Sequence, residues 1–376
     1  FDLFVAIEMM LTASYVLMTL GGRLRQVRSG MTYVVISLVA SVLFLVGLAF
    51  VYAATGTMNM ADLAGSIAEL PDGVRAALAG LLLVVFGIKA AVIPLHFWLP
   101  DSYPTAPAAV TAIFAGLLTK VGVYAIVRTQ TLLFPADSRP ATLILVVAGI
   151  TMVIGVLGAI AQEDVKRILS FEIVSQIGYM ILGLGLFTVA GIAGAIYYIV
   201  HHIVVKTSLF LAGGLIEHAG GSSRLARLGN MATTAPLVAV LFLLPALSLS
   251  GIPPFSGFVA KFGLFDATTR AGEWAILGVA TLVAFLTVYV MFKIWITVFW
   301  APRSAPSIDD RDADGGAQDA SPARRRLPVL MLAPTLVLGV ATLALGLTAG
   351  PVYEFSERAA ADLIDPRGYV EAVLRP

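Results

Sequence analysis

The 376 residues include no cysteine. Without thiolates the chain cannot ligate an iron–sulfur cluster, run thiol redox chemistry or form a disulfide, so any redox work belongs elsewhere. Charge is also scarce. Asp, Glu, Lys and Arg make up 12% of the residues, and a net charge of +1 supplies neither the basic excess that binds nucleic acid nor an acidic field that gathers cations at a distance. A nucleophile elbow, a Walker loop, an HExxH pair and Cys/His zinc spacing are all missing. The neighbouring His201 and His202 point about 100° apart on a helix and cannot both face one haem iron. The sequence therefore predicts no bound cofactor and no nucleic-acid partner.

Apolar residues are abundant. The chain is 59% hydrophobic, with a mean hydropathy of +0.93, well above a soluble domain of this length. A helix needs roughly 20 apolar residues to cross about 30 Å of hydrocarbon. Ten stretches qualify: 3–20, 31–54, 76–98, 107–127, 141–161, 168–189, 191–216, 236–268, 274–300 and 328–350. An all-α polytopic membrane protein is predicted. The chain opens Phe1-Asp2-Leu3-Phe4, with no initiator Met and no basic n-region. The first span is accordingly read as a true span, not a signal peptide, in a chain that begins partway through a longer one.

Basic residues alternate between sides. Loops after odd-numbered spans hold Arg23, Arg25 and Arg28, then Lys166 and Arg167, then Arg224 and Arg227, then Arg303, Arg311 and Arg324 to Arg326. Loops after even-numbered spans hold only Arg75, Arg128, Arg139 and Arg270, with three more arginines in the tail. The positive-inside bias makes the first set cytoplasmic and sends both ends of the chain outward. Residues 301–327, rich in Pro, Asp, Ser and Arg, read as a flexible cytoplasmic linker.

Two spans are interrupted by proline. The third reads GIKAAVIPLHFWLP, with Pro94 and Pro100, and the eighth ALSLSGIPPFSGFVAKF, with Pro253 and Pro254. Proline removes a backbone donor and clashes with the preceding turn, and the polar backbone so exposed survives in a membrane only inside protein or beside water. A simple kink would explain either one alone. Broken helices five spans apart suggest two five-span repeats around a midplane site, as in transporters.

The 18 arginines and 6 lysines are sorted. Every Arg falls in a connection, at a span end or in the tail, whereas Lys89, Lys120, Lys206, Lys261 and Lys293 fall within apolar spans and only Lys166 in a loop. Arginine stays charged, but a desolvated lysine can give up its proton. Burying each amine costs a few kcal/mol on insertion scales, so retention at central depth calls for a function beyond a structural ion pair. Lys293, nearer its helix end, fits snorkelling as well as function. Glu8, in the first span, is the natural counter-charge. Paired with Lys89 it would hold the amine charged, and opening of the pair would release a proton to the next site.

In the seventh span Tyr198, His202 and Lys206 are spaced by four and share a helix face, a candidate relay with water. A satisfied structural histidine is the competing reading for His202, and equally for His96 beside the third-span break. Glu172 reads as a carboxylate at the wet end of the sixth span beside Lys166 and Arg167, with the mouth of a cytoplasmic pathway as its functional alternative. Glu163 and Asp164 read as loop charges.

Together these residues resemble the antiporter-like membrane subunits shared by respiratory complex I and Mrp-type cation/proton antiporters. The likeness covers nearly the whole chain. Its markers are FDLFVAIEMML, KAAVIPLHFWLPDSYPTAPAAVTAIFAGLLTK, DVKRILSFEIVSQIGYM, YIVHHIVVK and SGIPPFSGFVAKF. The first and fourth are most similar to the D-type subunits of Mrp antiporters. The resemblance implies a proton path through Glu8, Lys89, Lys120, Lys206 and Lys261, and two inverted five-helix repeats whose broken helices act as gates. It implies further that the family's first four helices are missing here. On that basis residues 1–135 form an incomplete first repeat, 136–300 the second, 328–350 the last span and 351–376 a C-terminal tail.

Lys261 stands where one complex I subunit type has glutamate, which argues against that type, and Glu172 departs from the family pattern. The expected function is exchange of protons for sodium or another monovalent cation at the cell membrane, within a multi-subunit assembly and without catalysis of its own. Two alternatives stand beside it: a proton-pumping subunit of an oxidoreductase or membrane-bound hydrogenase, and a scaffold with structural ion pairs. No row of carboxylates marks a cation cage, and one built of backbone carbonyls leaves no mark in a sequence.

Overall fold

The computed structural model describes residues 1–303 and 327–374, and these are helical with no β-strand. The linker predicted over 301–327 lies, for residues 304–326, outside the described residues. Nine helices among the described residues are long and apolar enough to cross a membrane. They are α1 (Asp2–Thr19), α2 (Leu24–Thr55), α4 (Asp72–Ala90), the run Ala108–Leu132, α8 (Ala141–Ile160), α9 (Val165–Gly185), α10 (Val189–Gly220), α14 (Trp274–Trp295, continued to Trp300) and α15 (Val329–Leu347). The eighth predicted span is present as two half-helices, α12 (Pro236–Ser250) and α13 (Ser256–Arg270), each too short to cross alone. The short helices are α3 (Met60–Ser66), α5 (Trp98–Ser102) and α11 (Met231–Thr234). The run Ala108–Leu132 comprises α6 (Ala108–Ile113), a π-helical turn at Phe114–Leu118 and α7 (Thr119–Leu132).

Helix ends follow local chemistry. Asp164 caps α9 by accepting from the Arg167 N–H at 3.1 Å, and Thr188 caps α10 through the Gly191 N–H at 3.1 Å. Within the bundle α9 is central. Its hydropathic window is 94% buried, against 33% for α2, because α8, α10, α13 and α14 all pack on it. A helix enclosed on every side needs no polar face for solvent, so each polar side chain it carries must find a partner inside.

The connections gather on two faces. On one, Arg167 pairs with Asp101 at 3.2 Å, the Asn230 N–H donates to the Ala301 carbonyl at 2.7 Å, and the Lys293 amine meets Glu163 at 2.7 Å. On the other, Arg75 reaches Asp137 at 4.0 Å and the Arg128 guanidinium lies 4.3 Å over the Tyr369 ring. Loops after odd-numbered spans thus share one face, and those after even-numbered spans share the other with the C-terminal segment. That segment, predicted only as a tail, folds into two helices, α16 (Ala349–Ile364) and α17 (Arg367–Leu374). α16 lies on α10, and α17 lies on α3.

Candidate functional site

Both proline breaks disrupt the regular hydrogen-bond ladder at a helix end, and at both a side chain donates to one of the last carbonyls. α4 ends where Ala91 turns left-handed (φ 60°), ahead of a cis Ile93–Pro94 bond. The Trp98 indole N–H donates 2.9 Å to the Ile88 carbonyl. α12 ends at Gly251 (φ 81°), ahead of a cis Pro253–Pro254 bond. There the Lys261 amine donates 3.2 Å to the Ser250 carbonyl. A Cβ at Gly251 would stand 2.9 Å from Lys261 Cδ, so glycine supplies both the turn and the room for the lysine stem.

Lys89, in the last turn of α4, meets Glu8 of α1. Nζ lies 3.4 Å from Glu8 Oε1 and 3.1 Å from Ser41 Oγ, and Ser41 donates 2.5 Å to the same Glu8 oxygen. A cavity of about 20 Å³, room for one water, borders Lys89, Tyr33, Trp98 and Gly122. Gly122 lets α7 approach closely. A Cβ there would stand 2.5 Å from the Ala90 nitrogen and 2.8 Å from the Lys89 carbonyl carbon.

Lys120, at the start of α7, is buried, and its amine donates to the Ala115 carbonyl within the π-helical turn and to Thr119 Oγ1 at 3.2 Å. The wider turn loosens the backbone ladder, so an amine can take a carbonyl that an α-helix would occupy. His202 is fully buried within electrostatic reach of Lys120 and Lys206, and neither ring nitrogen has a hydrogen-bond partner among the described residues. Lys206 donates 3.3 Å to the Leu169 carbonyl, and Lys261 also lies 5.7 Å over the Tyr179 ring.

The direct hydrogen bond that a spacing of four allows between Tyr198 and His202 is not made. The Tyr198 hydroxyl donates to Gln176 on α9 instead, because the buried amide offers an acceptor on the facing helix. His201, left aside by the sequence, bonds Ser256 through Nδ1 at 2.8 Å at the start of α13. His96 is half-buried beside the first break, its ring 6.5 Å from Phe171. Lys293 is accounted for structurally: its amine donates to the carbonyls of Ile160 (3.0 Å) and Gln162 (2.8 Å) at the end of α8, besides pairing with Glu163.

The expectation for Glu172 is overturned. It does not sit at a wet helix end with Lys166 and Arg167 but is fully buried, and Lys166 pairs with Glu217 at 2.5 Å and Arg167 with Asp101. The Lys166–Glu217 pair lines a cavity of about 800 Å³ on the face of the odd-numbered loops. Glu172 lies six residues deeper along α9, about 9 Å by helical rise. Among the described residues no group of three or more His, Asp or Glu side chains converges as a metal site.

Broken helices with a buried chain of amines, histidine and carboxylates define an ion-translocating membrane protein as the class. Residues 1–287 match the model of the family described as NADH:quinone oxidoreductase/Mrp antiporter, TM, and the chain belongs to that family. It is 46% identical over 378 aligned residues to the D-type subunit of the Na(+)/H(+) antiporter of Alkalihalophilus pseudofirmus (strain ATCC BAA-2126 / JCM 17055 / OF4), covering 100% of this chain and 74% of that protein. Among solved structures it is similar to a chain of the Mrp complex from Dietzia sp. DQ12-45-1b, with a TM-score of 0.90, 41% identity, and coverage of 99% of this chain and 75% of that one. A chain of the membrane-bound sulfane sulfur reductase, an archaeal respiratory membrane complex, gives a TM-score of 0.85 at 25% identity, covering 99% of this chain and 73% of that one.

Proposed function

We propose that this chain is the proton-translocating membrane subunit of a multi-subunit Na+/H+ antiporter, a secondary transporter component without catalysis of its own. The observation that carries the reading is that Lys89, Lys120, Lys206 and Lys261 are buried, each held by neutral oxygens or a single carboxylate, in a chain 46% identical to a protein named as part of such an antiporter. Protons would pass between Glu8, Lys89, Lys120, His202, Lys206 and Lys261, with water joining groups that do not touch and with His96 and Tyr198 at its margins. Opening of the Glu8–Lys89 pair is the switch: the separated amine loses the charge that held its proton and gives it to the next site. The contrast between 46% and 41% identity to antiporter chains and 25% to the reductase chain supports this reading over that of an oxidoreductase component.

The same reading includes neighbouring antiporter subunits, a cell-membrane location with the odd-loop face cytoplasmic, and repeats over residues 1–135 and 136–300, each with one broken helix. Its test is cation-driven proton movement in vesicles holding the assembled complex. Lys89→Ala and Lys261→Ala are each expected to lower exchange per assembled complex by about a hundredfold, the scale of losing one proton-transfer group. Unchanged exchange with reduced assembly would establish the scaffold reading instead.

A further inference from the structure

One buried acid has no place in that proton path. Glu172 is 0% exposed and is the sole fully buried carboxylate among the described residues. Its Oε2 accepts from Gln176 Nε2 at 3.1 Å, while Oε1 has no hydrogen-bond partner among the described residues. An ionised carboxylate so placed costs several kcal/mol unless cations answer it. Two stand within electrostatic reach, Lys206 from α10 and Lys261 from α13. Both lysines otherwise rest on neutral backbone carbonyls. Glu8 is taken up by Lys89.

The surroundings hold one oxygen and leave the other free. Gln176 is fixed from two other helices: Nε2 donates to Thr287 Oγ1 of α14 at 3.3 Å, and its carbonyl oxygen accepts from Tyr198 of α10. Tyr198 stacks on Tyr179 at 5.4 Å, and the Tyr179 hydroxyl is anchored 2.6 Å from the Ala280 carbonyl. The charged and titratable groups acting on Glu172 are thus Tyr179 of its own helix, Tyr198 and Lys206 of α10 and Lys261 of α13. His201 of α10 acts on both lysines.

We propose that Glu172 is a proton-carrying carboxylate shared between Lys206 and Lys261, and that Gln176 is its positioning residue. This rests on the proton-translocating reading above. Water joins these groups, which do not touch: an N–H bond of the Lys206 ammonium breaks as the water takes that proton and passes one of its own to Glu172 Oε1, leaving a neutral amine, an unchanged water and a carboxylic acid. That O–H bond then breaks and, again through water, an N–H bond forms on Lys261. The trio begins as one cation, one anion and one neutral amine, passes through three neutral groups and ends as it began with the cation moved. Its net charge is zero throughout, so no step strands an unanswered charge in the interior.

The test uses the complete antiporter complex in vesicles and, separately, infrared difference spectra of the purified complex between acid and alkaline pH. Glu172→Gln is expected to lower exchange per assembled complex by about a hundredfold, and Glu172→Asp to restore most of it. Lys206→Gln added to Glu172→Gln is expected to cost little more than either alone, because the residues act as one unit. A carboxylic-acid C=O band that grows with acid is expected in the wild type and absent from Glu172→Gln. Wild-type exchange in Glu172→Gln, or identical spectra with and without the glutamate, overturns the proposal. Absence of exchange in the wild type overturns the antiporter reading and leaves the infrared band to decide whether Glu172 takes up a proton. Should Glu172→Gln fail to assemble, the wild-type band compared with Glu172→Asp decides: a band unmoved by the shorter side chain belongs to another acid and overturns the proposal.

Discussion

The Lys89 amine stands 3.1 Å from the Ser41 hydroxyl, nearer than its 3.4 Å to the Glu8 carboxylate. Ser41 also donates 2.5 Å to that carboxylate, so the ion pair is held through a hydroxyl as well as directly. Ser41→Ala removes one neutral contact and keeps the charges. Its expected effect is about a fivefold loss of exchange, the rate equivalent of ~1 kcal/mol. Glu8→Gln removes the counter-charge and is expected to cost far more. Equal effects of the two variants in the vesicle assay would refute the switch.

Lys293 illustrates how an amine inside an apolar span can be structural. It closes the exposed carbonyl end of α8 and pairs with Glu163, joining α14 to the loop before α9. Lys293→Met is expected to lower thermal stability by a few degrees, since leaving such acceptors unmet costs about 1–3 kcal/mol. Exchange per assembled complex should stay within about twofold, because the residue touches none of the proton-carrying groups and mutations at independent sites do not couple. A large loss of rate with full stability would place Lys293 in the path.

What the sequence made legible were properties each helix carries alone. Apolar length revealed the spans, proline marked both breaks, and the sorting of lysine from arginine picked out four of the five buried amines, missing Lys166, which was read as a loop residue but is buried in the first turn of α9. Beyond the Glu8–Lys89 pair, which charge alone suggested, relationships between helices were hidden, because spacing tells which residues share a face but not what that face meets. Gln176 contacts Tyr198 and Thr287, 22 and 111 residues away, so nothing local marks it. Glu172 was misread for the same reason: its basic neighbours in sequence turn to Glu217 and Asp101, and its cationic neighbours in space come from α10 and α13. Ser41, in an apolar span, gave no sign of standing over Glu8.

Sidedness can be read directly, because the chain has no cysteine to mask an introduced one. Ala226 lies exposed on the odd-loop face, and Glu273 lies exposed in an even-loop connection. Under the proposed orientation, Ala226→Cys should react with a charged, impermeant maleimide only from the cytoplasmic side and Glu273→Cys only from outside. The reverse pattern would invert the topology and move the cavity around Lys166 and Glu217 to the outer surface.

Close packing beside Lys89 holds α7 against α4. A Cβ at Gly122 would meet the Ala90 nitrogen at 2.5 Å and the Lys89 carbonyl carbon at 2.8 Å, backbone atoms of the broken helix that have no rotamer to change. Gly122→Ala must therefore push α7 away from α4, an overpacking cost of about 1–3 kcal/mol, and with α7 moves Lys120. Gly80, on α4 itself, faces open space within the chain, and alanine there gains up to about 1 kcal/mol of helix propensity. Gly122→Ala is expected to lose both thermal stability and exchange rate, whereas Gly80→Ala keeps both. Equal behaviour of the two alanines would mean that the contact between α4 and α7 does not set the spacing of Lys89 from Lys120.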